Sequence, residues 1–261
     1  MIKVNRRGIK SGRGDAPVRA RCLVGTSGWN YEHWSGGVFY PAGMKRPDWF
    51  AYYCRHFRSV EINNSFYRLP EKRVFQNWYE AAPPGFIFAV KASRFITHNK
   101  KLKDPESTLE ALLTRITVLG PQLGPILFQL PPRWHFNAER LTAFLEALPA
   151  RHRYAMEFRD RSWINEEALA ILNKFNVAFC IYEFDYYLSP QEVTADFVYI
   201  RLHGPQGRYQ GQYRDQALSG WAGAIATWGG QGKNVFCYFD NDEAGYAAAD
   251  AARLQEMLAS G

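Results

Sequence analysis

Tyr199-Ile200-Arg201-Leu202-His203 puts two basic side chains on one face of a strand-forming run, because successive residues of a strand point to opposite sides. The same design recurs in Val60-Glu61-Ile62-Asn63, Ala89-Val90-Lys91-Ala92-Ser93, Leu127-Phe128-Gln129 and Ala155-Met156-Glu157-Phe158-Arg159. Each is a short apolar run whose polar residues share one alternation phase. A buried charge is costly unless a partner or a task keeps it there. Strands that end in polar residues on a common face are how a parallel barrel builds a site at its C-terminal mouth.

Working outward from these runs, strand-like segments start near Cys22, Ser59, Phe86, Pro125, Tyr154, Ala178, Phe197 and Asn234. Helical periodicity fills most of the intervals, over residues 47–57, 71–82, 108–119, 137–148, 165–175, 219–228 and 244–258. Proline marks several boundaries: Pro47 in a first turn, Pro83-Pro84 after the second segment and Pro149 after the fourth. Asn137 and Asn165 stand where N-caps are needed. Strand alternating with helix about eight times predicts an α/β fold, a single (β/α)8 TIM-type barrel over residues 22–261. The weakest repeat lies between Tyr182 and Thr194, where Pro190 interrupts any helix and a loop or single helical turn is expected.

The 261 residues are 47% apolar, enough for one sizeable core, and 16% aromatic. No stretch approaches the ~18 uncharged apolar residues of a membrane span, so no membrane partner is expected. Net charge is +7, but Lys3, Arg6, Arg7, Lys10, Arg13, Arg19 and Arg21 against Asp15 place +6 of it in residues 1–21. That segment reads as a disordered basic extension without the apolar core of a secretory signal. The near-neutral remainder counts against a nucleic-acid surface on the barrel, since such affinity comes from neutralising many phosphates. Nucleic acid or an acidic surface is a candidate partner for residues 1–21, with a solvated extension without a function as the favoured alternative. Cys22, Cys54, Cys180 and Cys237 have no metal-ligand spacing, which suggests reduced thiols and a cytoplasmic protein.

Candidate site residues follow from the shared phase. Glu61 and Glu157 are the carboxylates at strand ends. Lys91, between Val90 and Ala92, is either a desolvated amine suited to acid–base or Schiff-base chemistry or the ion-pair partner of Glu61 or Glu157. His203 titrates nearest neutral pH. Glu61, Lys91, Glu157 and His203 are therefore the candidate catalytic groups. Arg159 and Arg201, with Asn63, Asn241 and the aromatic walls Trp29 and Tyr67, are the candidate ligand-binding groups. Glu61, Lys91, Gln129, Glu157 and Arg201 are expected in an inner layer, with Asn63, Ser93, Arg159 and His203 nearer the mouth. Three cations beside two glutamates and one histidine would repel a divalent ion, so neither metal nor cofactor is expected. At the end of the last run, Asn241 shares the phase of Val235, Cys237 and Phe239, whereas Asp240 does not.

Taken together, several motifs resemble those of the YecE-like family, also called domain of unknown function 72. They are Gly25-Thr26-Ser27-Gly28-Trp29, Gly37-Val38-Phe39-Tyr40-Pro41, Val60-Glu61-Ile62-Asn63-Asn64-Ser65-Phe66-Tyr67 and Phe88-Ala89-Val90-Lys91. Further along come Thr97-His98, Phe128-Gln129-Leu130-Pro131-Pro132, Glu157-Phe158-Arg159 with Ser162-Trp163, and Tyr199-Ile200-Arg201-Leu202-His203-Gly204. The resemblance spans residues 22–258 and implies a TIM-type barrel. It implies little about activity, and analogy with barrel nucleases such as endonuclease IV rests on fold alone. Asp240 stands where the family pattern has Asn; being out of phase, it is expected to matter little.

Two functions follow as expectations. One is a metal-independent enzyme or binder for a small anionic or polyhydroxylated ligand at the barrel mouth. The other is a nucleic-acid-binding protein or phosphodiesterase. Removing residues 1–21 separates them: DNA binding lost with the extension never belonged to the barrel.

Overall fold

A computed structural model describes residues 20–260. The expected disordered extension lies outside them except for Ala20 and Arg21, and Arg21 already belongs to the barrel: its carbonyl accepts from Val235 N at 2.9 Å. Eight parallel strands form a nearly closed barrel in the order β1-β9-β8-β6-β5-β4-β3-β2. They are β1 (Cys22–Thr26), β2 (Ser59–Ile62), β3 (Ile87–Lys91), β4 (Leu123–Leu130), β5 (Tyr154–Phe158), β6 (Ala178–Phe184), β8 (Phe197–Leu202) and β9 (Asn234–Phe239). The two-residue β7 (Tyr187–Leu188) pairs antiparallel with β6.

Seven α-helices surround the barrel among the described residues: α1 (Trp49–His56), α2 (Lys72–Ala81), α3 (Pro105–Ile116), α4 (Ala138–Glu146), α5 (Glu166–Lys174), α6 (Asp215–Gly230) and α7 (Tyr246–Ser260). Asn137 Oδ1 accepts from Arg140 N at 2.7 Å and Asn165 Oδ1 from Ala168 N at 2.9 Å, so both expected N-caps form. Helices α3 and α6 begin three and four residues earlier than the periodicity suggests. Their first turns are polar, and a hydrophobic period marks only the buried face. The weak repeat contains no helix; β7 and an extended loop connect β6 to β8.

Each strand buries both faces. Val60, Ile62, Phe88, Val90, Ile200 and Val235 pack outward under the helices, while Ala89, Leu127, Ala155, Cys180, Tyr199 and Tyr238 fill the barrel. The inner set mixes small residues with large rings, which lets neighbouring strands interlock across a narrow interior.

The incomplete closure between β1 and β2 has a local cause. Tyr53 of α1 inserts its hydroxyl between them, donating to Ser59 O at 3.0 Å while Thr26 N donates to it at 3.1 Å. A side chain thus replaces ladder bonds at the base of the seam. Gly25 permits this approach, since a Cβ there would lie 2.1 Å from Ser59 O. Nearer the mouth the seam closes again, with Ser27 bridged to Glu61 and Gly28 N donating to Glu61 O at 2.8 Å.

Candidate functional site

Arg201 is the hub of the barrel mouth. It leaves β8 inward, is fully buried, and spends its guanidinium on three carboxylates. Nε lies 3.0 and 3.1 Å from the two Glu61 oxygens, Nη2 reaches Glu61 Oε1 at 2.8 Å and Asp240 Oδ2 at 3.0 Å, and Nη1 reaches Glu157 Oε2 at 2.9 Å. Glu61 is satisfied further by Ser27 Oγ and Tyr199 Oη, each donating at 2.6 Å. Glu157 accepts from Gln129 Nε2 at 2.9 Å and from Arg159 Nε. Such dense pairing is what makes buried ions tolerable. Arg201 has no donor left for a ligand.

His203 is equally committed. Its Nε2 accepts from Arg201 Nη1 at 2.8 Å and Arg159 Nη2 at 3.0 Å, so the proton sits on Nδ1, which donates to Glu183 O at 2.9 Å. Burial, then Arg201 and Arg159, push its pKa well below the usual value, leaving a neutral imidazole that props two guanidiniums. Burial works to raise Glu157, but Arg159 and Arg201, with Lys91, outweigh it and hold the carboxyl well below the usual range. The stability Glu157 contributes is therefore complete above its unfolded pKa of about 4.3 and is withdrawn as pH falls below it. Urea titrations at several acid pH values should show Glu157→Gln with a flatter acid limb than wild type; equal limbs would refute the pairing.

Lys91 departs from the ion-pair expectation. Among the described residues no carboxylate oxygen lies within 4.0 Å of Nζ, which instead sits 4.2 Å from the centre of the Phe66 ring. Burial first, and then the repulsion of Arg201, push its pKa down to about 8 against the pull of Glu157, Glu61 and Asp240. Beside it His98 is depressed to about 4, by burial and by Lys91, Arg94 and Arg159. Lys91 is thus the basic group of the interior with its polar atom unspent.

Asp240 corrects the sequence reading. Phe236, Tyr238 and Asp240 are the inward set of β9, while Val235, Cys237 and Phe239 face the helices. Strand β9 is apolar on both faces, so alternation of polarity carried no sign of which side was inside. Asp240 pairs with Arg201 and lies 3.6 Å from His203 Nε2. Burial raises its pKa, Arg201 opposes that, and Glu61 adds to it. Asn241 points outward, donating from Nδ2 to Gly211 O at 2.9 Å and to Asp250 Oδ2 of α7 at 2.8 Å. It anchors the loop after β8 rather than facing the mouth.

The expected outer layer also separates. Arg159 and His203 occupy it, but Ser93 Oγ accepts from Phe95 N at 3.2 Å in a local turn, and Asn63 lines a different cavity. Tyr67 is 71% exposed and lies edge-on to Phe66 at 5.1 Å, and it does not line the arginine cavity. Trp29 lines the same cavity as Asn63, packed against Phe50 and Trp78 at 5.0 and 5.3 Å.

Over the charged layer opens a cavity of about 370 Å³ whose lining includes Gln129, Arg159, Arg161, Tyr182, Arg208 and Tyr209. Arg159 stacks 3.8 Å from the Phe184 ring centre, and Arg161 lies 4.4 Å from that of Tyr187. Asp185 is the acid in this lining, and it is taken by Arg208 at 2.8 Å. The turn between β6 and β7 and the loop after β8 clasp each other here, Tyr186 Oη donating to Gln206 O at 2.9 Å. Asp185, Tyr186 and Tyr209 all hold positive φ, of 54°, 62° and 64°. Left-handed backbone in residues other than glycine is strain that surrounding structure must maintain, and it gathers at functional sites. Arg161, Arg208 and Tyr209 were invisible to strand periodicity because they stand outside the strands, Arg161 in a short 3-10 turn and the other two on the loop after β8. Tyr199, in phase with Arg201, was there to be read.

No group of three or more His, Cys, Asp or Glu side chains is arranged to hold a metal among the described residues. The carboxylates that do converge, Glu61, Glu157 and Asp240, converge on a guanidinium, so Arg201 fills the place a cation would take. No helix among them is long and apolar enough to cross a membrane.

A parallel-stranded barrel with a charge-paired polar layer beneath its C-terminal mouth defines a TIM-type α/β barrel protein. The family model described as protein of unknown function DUF72 matches residues 23–261, and the chain belongs to that family. UPF0759 protein YunF of Bacillus subtilis is 27% identical over 90% of this chain and 94% of its own. UPF0759 protein YecE of Escherichia coli K12 is 34% identical over 41% of this chain and 40% of its own. The crystal structure of a DUF72 family protein from Thermotoga maritima is similar with a TM-score of 0.83 and 30% identity, covering 92% of this chain and 99% of that one.

Proposed function

We propose that the protein binds a small phosphate- or carboxylate-bearing ligand, without a resident metal, in the cavity above Arg159. The observation that carries this is the excess of arginine there: Arg159, Arg161 and Arg208 line it against the single acid Asp185. Arginine forks match the two oxygens of a carboxylate or phosphate, and a partly enclosed site strengthens each charge-assisted bond. Arg159 is pre-set for the task. Its Nε and one Nη are fixed by Glu157 and His203, its plane is braced by Phe184, and Nη1 makes no bond to the described residues. A donor held this way loses little entropy on meeting an anion. If the ligand reacts, Lys91 is the candidate to move a proton or attack a carbonyl carbon, because Glu61, Glu157 and His203 are consumed in pairing.

Arg159→Ala should weaken phosphate or carboxylate binding about 10- to 100-fold, the worth of one charge-assisted contact. The protein should stay folded, since Glu157 keeps Arg201 and Gln129. Calorimetric titration of both proteins, with circular dichroism as the folding control, checks this. Unchanged anion affinity in a folded Arg159→Ala protein would sink the reading.

A further inference from the structure

A second cavity of about 370 Å³ opens on the β1–β2 side of the mouth, walled by Trp29, Tyr31, Phe50 and Trp78 and edged by Asn63. It is chemically unlike the arginine cavity: it has flat apolar walls and no charged lining. Asn63 spends neither end of its amide on the described residues. Its Oδ1 is shut from solvent without a donor, and Nδ2 makes no bond to the described residues. The end of the amide that is not shut from solvent is the one a ligand can reach. Either orientation of that amide presents one unspent hydrogen-bonding end to the cavity.

The two cavities flank a third pocket. A shallower pocket between them is lined by Tyr31, shared with the aromatic cavity, and by Arg208 and Tyr209, shared with the arginine cavity. Its middle is acidic, with Asp240, Asp242 and Glu243. The three linings, cationic, acidic and aromatic, thus follow one another through shared residues. Asp240 is spent on Arg201 and Asp242 on Trp34 and His33, which leaves the exposed Glu243 to accept from a hydroxyl, and the acidic middle disfavours the successive phosphates of a polynucleotide. Flat aromatic walls with an amide suit a planar ring that carries its own donors and acceptors.

The geometry points to a nucleoside monophosphate, or a close analogue with a planar nitrogen heterocycle, a hydroxylated linker and one phosphate, as the ligand class of these three pockets. The phosphate end rests on the anion-binding reading above. The ring end rests on the Trp29 cavity and Asn63 independently.

The test is a calorimetric panel on the full chain using inorganic phosphate, ribose 5-phosphate, glucose 6-phosphate, adenosine and adenosine 5′-monophosphate. Adenosine 5′-monophosphate should bind about tenfold or more tighter than ribose 5-phosphate, the worth of one stacked ring. Asn63→Ala, which breaks no side-chain hydrogen bond to the described residues, and Trp29→Ala should erase that gain while ribose 5-phosphate binds as before. Equal affinity for the two in the wild-type protein would overturn the ring site and leave the anion site standing. Glucose 6-phosphate matching the nucleotide would overturn the planar heterocycle in favour of a sugar. Adenosine binding without any response to phosphate or ribose 5-phosphate would overturn the phosphate end, and with it the anion reading. Silence from the whole panel would overturn both.

Discussion

Replacing Arg201 by methionine is expected to cost about 3–5 kcal/mol of stability, the usual penalty for removing one partner of a buried ion pair. The upper end applies because three carboxylates, not one, lose their counter-charge. Glu61 and Glu157 are fully buried and Asp240 is 6% exposed, so water cannot take the place of the guanidinium. Methionine fills much of the volume, which isolates the charge effect from a cavity effect. The deficit should shrink as pH is lowered. Stranded carboxylates have raised pKa values in the folded state, so protonating them relieves the repulsion that the substitution creates. Urea denaturation of both proteins at neutral and acid pH checks this. A variant as stable as wild type at neutral pH would mean that the paired layer contributes nothing to holding the barrel.

Lys91→Met should act in the opposite direction and stabilise the protein by about 1–3 kcal/mol. Lys91 is 5% exposed, and its pKa falls from 10.5 to about 8. Each unit of such a shift represents about 1.4 kcal/mol spent on keeping the charged form. Below pH 8 the amine is protonated in both folded and unfolded states, and the full cost of burying it is present. Between pH 8 and about 10 the unfolded chain holds the proton that the folded protein releases, so wild-type stability rises with pH. The advantage of Lys91→Met should therefore be greatest below pH 8 and close above it. A group retained at a cost to stability is a mark of function, and the same variant should lose whatever proton transfer or covalent chemistry the site performs. If Lys91→Met is less stable than wild type at pH 7, Lys91 is a structural counter-charge.

Much of the fold was legible because its signals are local. Apolar runs of strand length, helical periods between them and prolines at their ends repeat about every 30 residues, and a parallel barrel is what such a repeat closes into. The inward direction of Glu61, Lys91, Glu157, Arg159, Arg201 and His203 was equally legible, since polarity alternates along their strands and one face of each is plainly the apolar one. Strand β9 shows where that logic stops. Asn234-Val235-Phe236-Cys237-Tyr238-Phe239 has no polar face to break the symmetry, so Asp240 was set outside and Asn241 inside, the reverse of their places.

The sequence alone therefore determined which way the polar residues of the alternating strands would face, because strand geometry converts spacing into direction without knowledge of any neighbour. Only the tertiary structure decided which charges meet. Arg201 takes Glu61, Glu157 and Asp240 from strands 140, 44 and 39 residues away in the chain. That choice depends on strand order, on the seam that Tyr53 opens between β1 and β2, and on side-chain reach across the interior. Lys91 loses the competition and stays unpaired. The loops that bring Arg208, Tyr209 and Asp185 over the cavity carry no periodicity, and their left-handed residues are held by contacts with one another and with the shell. Direction is a property of a strand, but partnership is a property of the closed barrel.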